Sequence, residues 1–310
     1  MRLPELYRTF IGIKSAEGRS PQTMQQYHDN YTGFTRFLEH RGIADDSRNL
    51  NRHVIREYIL YMRSDLGYKP ATVNTRLKTL RVIFKTLVDE DLIDRNPMDG
   101  VKSIQDPLDK IDVLTVDELK RLLNAPDKSA YAGYRDYTLM HVLVDSMMRI
   151  GEATQLKVQD FDLTQATVTV PATVAKSRKY RTLPLKPITT RLVKRLIEAN
   201  DDFGTEYVFL TNYGEPINRD HFRKRLYEYA TTAGLKKRVH PHLLRHTSAT
   251  LFLEDGGDIR HLQMLLGHAD MRMVQRYTHL SDRALREQHA KHSAIDKVSS
   301  KLSRPRKRKL

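Results

Sequence analysis

The segment from His240 to His279 reads HPHLLRHTSATLFLEDGGDIRHLQMLLGHADMRMVQRYTH and concentrates the residue types that phosphate chemistry needs. Phosphoryl transfer requires positive donors around the non-bridging oxygens, a proton carrier and a nucleophile. His242 and Arg245 form a His-x-x-Arg pair, Gly267 and His268 follow, and Tyr277 brings a phenol. Guanidinium groups are planar and can bond two phosphate oxygens at once, so arginine suits the extra charge of the transition state better than lysine. A tyrosine attacking phosphorus would form a covalent phosphotyrosine and divide the transfer into two steps.

Helices with glycine hinges can bring these groups to one pocket. A helix from Pro241 to Leu253 places His242 and Arg245 three apart on one face. Proline suits its first turn, and Gly256 with Gly257 stops it. Asp258 is the expected N-cap of a second helix ending at Gly267, and Asp270 that of a third carrying Tyr277. Upstream, Arg149 and Glu152 are also three apart, with Ala153 and Leu156 on a buried side. Taken alone that pair reads as a surface ion pair. Ala166 to Pro171 alternates as Thr-Val-Thr-Val, and Tyr180 to Leu185 is a second strand. The basic segment VAKSRK joins them into a hairpin whose tip can enter a DNA groove.

The order His-x-x-Arg, Leu-Leu-Gly-His and Tyr-Thr-His resembles the C-terminal signature of the tyrosine recombinases, the family of phage integrases and Xer-type recombinases. The run Arg149-x-x-Glu152 before Leu156-x-x-x-Asp-Phe-Asp162 is similar to that family's first arginine motif. Lys176-Ser-Arg-Lys-Tyr-Arg-Thr-Leu-Pro resembles its hairpin with a catalytic lysine. Spacing to the Arg-x-x-Pro beginning at Arg181 singles out Lys176, with Arg178 and Lys179 as competing choices. The resemblance implies Tyr277 as nucleophile, Arg149 and Arg245 on the phosphate, Lys176 as general acid and Glu152 in support. It leaves His242 and His268 open between base and phosphate donor. It implies cutting and rejoining of DNA through a 3'-phosphotyrosine and a Holliday junction, without metal, ATP or any other cofactor.

The rest of the chain is consistent with that class. Its 310 residues are enough for two domains, and 53 Lys and Arg against 38 Asp and Glu give a net charge of +15. Such a surplus favours a polyanion, and nucleic acid is the commonest. Without cysteine, disulfides, thiolate metal sites and cysteine nucleophiles are excluded. No apolar run reaches membrane-span length, and the start lacks the apolar core of a signal peptide. A cytoplasmic, nucleoid-associated protein is expected.

The expected fold is mainly α with a small β-hairpin or sheet (α+β). Residues 1–100 read as a helical DNA-binding domain, 101–113 as a linker, 114–295 as the catalytic domain and 296–310 as a basic tail. In the first domain, Ser20 and Asn51 are expected caps, and Thr72 is expected to cap the helix bearing Leu77, Leu80, Ile83, Phe84 and Leu87. Arg76, Lys78, Arg81 and Lys85 read as its basic solvent face, as do Arg52, Arg56 and Arg63 on the preceding helix. Arg76, Arg81, Lys85, Arg178, Lys179, Arg223 and Lys224 are the candidate DNA contacts, with Arg225 beside them; the bland reading is a solvated face. Thr115 and Glu118 form a capping-box pattern. The family resemblance implies two domains clamping the duplex as a C, and a homotetramer on two DNA sites, with accessory proteins as further partners. Residues 281–295, with Leu285 as an apolar anchor, are the candidate for the exchanged C-terminal helix.

Three rivals stand beside this reading. His242 and His246 have the helical spacing of zinc ligands, but Leu243 stands where a metalloprotease glutamate would be. A type IB topoisomerase would use the same nucleophile and relax supercoils without exchanging partners. A DNA-binding protein could retain the fold without the chemistry.

Overall fold

A computed structural model describes residues 1–105, 112–175, 179–267 and 289–290. The chain divides into two compact units, Met1–Asp109 and Lys110–Leu310. Among the described residues no helix is long and apolar enough to cross a membrane.

The first unit is helical. It contains α1 (Leu3–Ala16), α2 (Pro21–His40), α3 (Arg52–Leu60), a π-helical turn at Tyr61–Asp65, and α4 (Pro70–Asp89). The Ser20 hydroxyl accepts from the Thr23 N–H, and the Asn51 side chain accepts from the N–H groups of His53 and Val54. Both satisfy donors that a helix start leaves without partners. The expectation for Thr72 fails. Lys69 is the N-cap and Pro70 opens α4, so Thr72 lies inside its first turn. A proline fixed near helical φ, with no N–H to satisfy, starts the helix without a side-chain cap.

The apolar stripes of these helices meet in one core of Leu6, Phe10, Phe34, Phe37, Ile55, Tyr58, Leu77, Leu80, Phe84 and their neighbours. Phe34 sits edge-on to Tyr58 at 5.1 Å between centroids. Burying each such side chain contributes about 1.5–3 kcal/mol. A buried amide crosses this core, Asn30 donating to the Thr79 hydroxyl at 2.8 Å. Residues read as linker also belong here. Val101 is buried, and Asn74 brackets Ile104 with two backbone hydrogen bonds of 2.9 Å.

The second unit begins with α5 (Val116–Asn124), α6 (Tyr131–Ser146) and the single turn α7 (Ile150–Ala153). Thr115 and Glu118 close the capping box at the start of α5. Strands β1 (Phe161–Asp162), β2 (Thr167–Val170) and β3 (Arg181–Pro184) form an antiparallel sheet in the order β1-β2-β3. The β2–β3 hairpin pairs Thr167 with Pro184 and Val170 with Arg181. The β1 strand carries no readable alternation in sequence because it is two residues long. Next come α8 (Pro187–Ala199), α9 (Arg219–Thr232), α10 (Pro241–Glu254) and α11 (Ile259–Leu266).

Its main core joins Leu139, Leu143, Leu156, Val168, Leu183, Leu196, Phe209, Phe222 and Leu244. Beneath it, Arg135 and Arg225 both reach the buried carboxylate of Asp136, and the Tyr229 hydroxyl donates to the same group. Arg225, read from sequence as either a DNA contact or a solvated residue, is engaged inside its own unit by Asp136 and Tyr229. The hairpin tip with Lys176 and Arg178, then His268, Tyr277, the tail and the helix expected over 281–295 (apart from His289 and Ala290) lie outside the described residues.

Candidate active site

Three turns assemble the arginine centre. The first joins α6 to α7. Met147 ends α6 in a left-handed conformation, φ 53°. For a residue with a Cβ this costs roughly 1–2 kcal/mol, and packing offsets it. The Met147 side chain is buried with Ala249, Leu253, Leu262 and Leu266 in a small core of its own. The reversal turns the Met147 carbonyl toward α10 and leads the chain into Arg149, the N-cap of α7.

The second turn follows α10. Its start has His240 as cap, the imidazole Nδ1 accepting from the Leu243 N–H at 3.2 Å, and Pro241 in the first turn. Burial, with the nearby Arg238 charge, lowers the His240 pKa from its ordinary value. A neutral ring keeps Nδ1 free to accept. The helix stops at Gly256 and Gly257, where a Cβ on Gly257 would lie 2.2 Å from the Phe252 ring. Asp258 then caps α11 by accepting from the N–H groups of Arg260 and His261.

The third turn is Gly267, which ends α11 with φ 60°. Together these turns build a seat for Arg245. Its side chain is buried, the residue being 4% exposed. One guanidinium nitrogen donates to the Met147 carbonyl at 2.6 Å and another to the Leu266 carbonyl at 2.7 Å. Both acceptors are at helix C-termini, where carbonyls lack partners along the chain and the backbone dipoles favour a cation. His242, three residues earlier on the same helix, is exposed. The pair expected on one face thus has one buried member and one solvent-facing member.

Glu152 organises the other half. It is 2% exposed. It accepts from the Arg149 backbone N–H at 3.0 Å and from the Arg149 guanidinium at 3.1 Å. Arg181, at the start of β3, reaches both carboxylate oxygens, at 3.3 and 2.5 Å. Burial alone would raise the Glu152 pKa. The Arg181 hydrogen bond, the Arg149 N–H and the two guanidinium charges outweigh it and hold the carboxyl below its usual range. The arginine of the Arg149 pair keeps a side chain 21% exposed, so one edge is held while the group still meets solvent. Three arginines against one carboxylate leave a positive surplus suited to a phosphate.

Of the site residues expected from sequence, Arg149 and Glu152 are brought into direct contact, and Arg245 is tied to the turn that precedes them. Lys176, His268 and Tyr277 lie outside the described residues, as does Arg178. Lys179 is exposed, and so are Lys85, Arg223 and Lys224. Arg76 and Arg81 are half-buried and engaged within their unit. Arg76 stacks on the Tyr68 ring at 4.9 Å, and Arg81 donates to the Val101 carbonyl at 3.0 Å. Arg181 was missed as a site residue, having served only to mark the hairpin spacing. The signal lay in the strand period: Arg181 and Leu183 share one phase of β3, so the arginine falls on the face that Leu183 buries.

A basic chain whose arginines converge on one carboxylate beside a hairpin has the layout of a protein that handles nucleic-acid phosphates. Residues 112–284 match the phage integrase family, and residues 3–104 match the phage integrase SAM-like domain. The chain is 31% identical to tyrosine recombinase XerD of Listeria monocytogenes serovar 1/2a over 290 residues, 91% of this chain and 96% of that protein. It is also 31% identical to tyrosine recombinase XerC of Escherichia coli O157:H7, over 89% of this chain and 91% of the relative. Among solved structures, XerH recombinase bound to its difH substrate before cleavage is 25% identical, with a TM-score of 0.69 over 89% of this chain and 81% of that one. The Tn1549 transposon integrase in complex with a circular intermediate DNA is 20% identical, with a TM-score of 0.76 over 94% of this chain and 100% of that one, and shares the fold. The chain belongs to the phage integrase family, that of the tyrosine recombinases.

Proposed function

We propose that this chain is a site-specific recombinase that breaks and rejoins DNA with Tyr277 as nucleophile. The Tyr277 oxygen attacks the scissile phosphorus, a 3'-phosphotyrosine forms and the 5'-oxygen leaves. In the reverse sense, a 5'-hydroxyl from the partner strand attacks the phosphotyrosine and releases the phenol. One bond forms as one breaks at each step, so ATP is not required. Arg149 and Arg245 stabilise the charge on the non-bridging oxygens, Lys176 protonates the leaving 5'-oxygen, and His242 and His268 serve as base or phosphate donors. Two rounds of strand exchange pass through a Holliday junction.

The observation that carries this reading is the fixed arginine centre: Arg245 held by two helix-end carbonyls, and Arg149 held by buried Glu152. Electrostatic stabilisation is strongest where donors are set in advance and need not reorganise. DNA is the partner. A homotetramer on two sites, monomeric or weakly associated when free, fits the strand-exchange chemistry, and accessory proteins are proposed as further partners. Exposed Lys85, Lys179, Arg223 and Lys224 are proposed phosphate contacts, and nucleoid association follows from the charge. The biological setting we propose is integration, excision or resolution of a DNA element.

Covalent trapping tests the reading. A duplex site is selected from random DNA by the protein's own binding, then offered as a nicked suicide substrate in EDTA. A protein–DNA band on a denaturing gel that disappears in Tyr277→Phe, with binding retained, is the expected result. Binding by both proteins without a band from either would leave a DNA-binding protein and remove the recombinase.

A further inference from the structure

Arg181 is not among the groups to which a role in strand transfer has been given, yet its surroundings are unlike those of a surface arginine. Its side chain is 11% exposed although it begins a strand beside a basic loop. Its terminal nitrogens take both oxygens of Glu152. Its Nε is buried and has no hydrogen-bond partner among the described residues. On its other side is Gly267. A Cβ placed there would lie 3.0 Å from the Arg181 Nε and 3.1 Å from its Cδ and Cζ. The absent side chain at Gly267 therefore makes room for the guanidinium as well as permitting the positive φ.

A purely stabilising ion pair is a weak account of this arrangement. Burying charges costs desolvation that the pairing often only matches, and a hydrophobic substitute frequently does as well. Arg181 instead links parts of the proposed site, through contacts with Glu152 and Gly267 and a place in sequence shortly after Lys176. It stands at the base of the loop that holds Lys176, it grips the carboxylate that orients Arg149, and it abuts the residue before His268. We propose that Arg181 is a positioning residue for DNA cleavage, fixing the Glu152 carboxylate against Arg149 and setting the Gly267 backbone ahead of His268. The assignment rests on the reading of Arg149 and His268 as phosphate-site groups.

The pH dependence separates positioning from mere stability. Among the described residues, Glu152 is faced by Arg149 from the N-cap of α7 and by Arg181 from β3. Without Arg181, burial weighs more heavily and the carboxyl takes up a proton at higher pH. Arg149 then loses a charged anchor as the solution becomes acidic.

The experiment measures single-turnover covalent-complex formation at saturating selected DNA, with affinity and thermal melting measured alongside. It compares wild type, Arg181→Met, Arg181→Lys and Tyr277→Phe. Arg181→Met is expected to slow cleavage by about 10–100-fold, as loss of an orienting contact does elsewhere, with DNA affinity unchanged. Its rate is expected to fall further toward acidic pH where wild type is level, and Arg181→Lys is expected to recover part of both. A Met variant that cleaves as wild type does, or that is slowed equally at every pH with lysine giving no recovery, overturns the assignment while the recombinase reading stands. Absence of a covalent complex from wild type on DNA that it binds removes both.

Discussion

In the proposed reaction Arg245 and Arg149 do the same electrostatic work, but they are held in different ways, and this separates their variants. Arg245 is buried and occupies two helix-end carbonyls. Arg245→Ala leaves those acceptors without their charged donor and is expected to cost roughly 3 kcal/mol of folding stability. Arg149 has a side chain 21% exposed, and its partner Glu152 keeps Arg181. Arg149→Ala is expected to cost only about 1 kcal/mol. Both are expected to slow cleavage by about 10²–10³-fold, the loss typical when one preorganised donor to transition-state charge is removed. Denaturant unfolding beside single-turnover cleavage checks the pair. Equal destabilisation by both variants would contradict the two modes of anchoring. A uniform loss of rate with unchanged stability at Arg245 would contradict its place as a structural tie.

At the scale of elements, the caps make a separate claim. His240 caps α10 through an unprotonated Nδ1, and burial followed by the Arg238 charge lowers its pKa below the ordinary 6.5. The unfolded chain therefore binds a proton at this residue at a higher pH than the folded chain does. Stability is fully present above 6.5 and declines as pH falls from there toward the lowered folded value. Asparagine is also a good N-cap and does not titrate there. His240→Asn is expected to match wild type in melting temperature at neutral pH and to lose less on mild acidification. Parallel loss in the two proteins would exclude His240 as the source. The same caps show what the sequence makes legible. Ser20, Asn51, Thr115 and Asp258 satisfy backbone groups two or three residues away, so their signal is local. The β2–β3 hairpin is legible for the same reason, from alternation and a short basic loop. What escapes is set by distant partners. Nothing near Arg81 in sequence announces the Val101 carbonyl, nor does anything near Arg225 announce Asp136. The left-handed Met147 is favoured only because α10 and α11 bury its side chain. In the site, motif spacing pointed to Arg149, Glu152 and Arg245 as candidates, but not to the contact with Arg181 that Glu152 shares with Arg149.

For the whole molecule, the net charge of +15 supplies binding that does not depend on sequence, while exchange needs protomers to meet. We propose that the C-terminal stretch separates these two demands. Lys301, Arg304, Arg306, Lys307, Arg308 and Lys309 are six basic residues without an acid, whereas 281–295 is the proposed exchanged segment, with Leu285 as its proposed apolar anchor. Each phosphate neutralised steepens the fall of log affinity with log salt by about 0.9. Ending the chain after Ser300 is expected to flatten that slope by up to about 5, weakening single-site binding at moderate salt while leaving paired-site assembly intact when every site is filled. Ending it after Ser281 removes those charges, one further net positive charge from 282–300, and the proposed exchanged helix. It is expected to bind single sites as the shorter deletion does, but to lose the slow-migrating two-site complex and recombinant product. Gel shifts across a salt series with one- and two-site DNA compare the two. Loss of two-site assembly in both truncations would make it a matter of charge, and its survival in the longer deletion would exclude 282–300 as the connection between protomers.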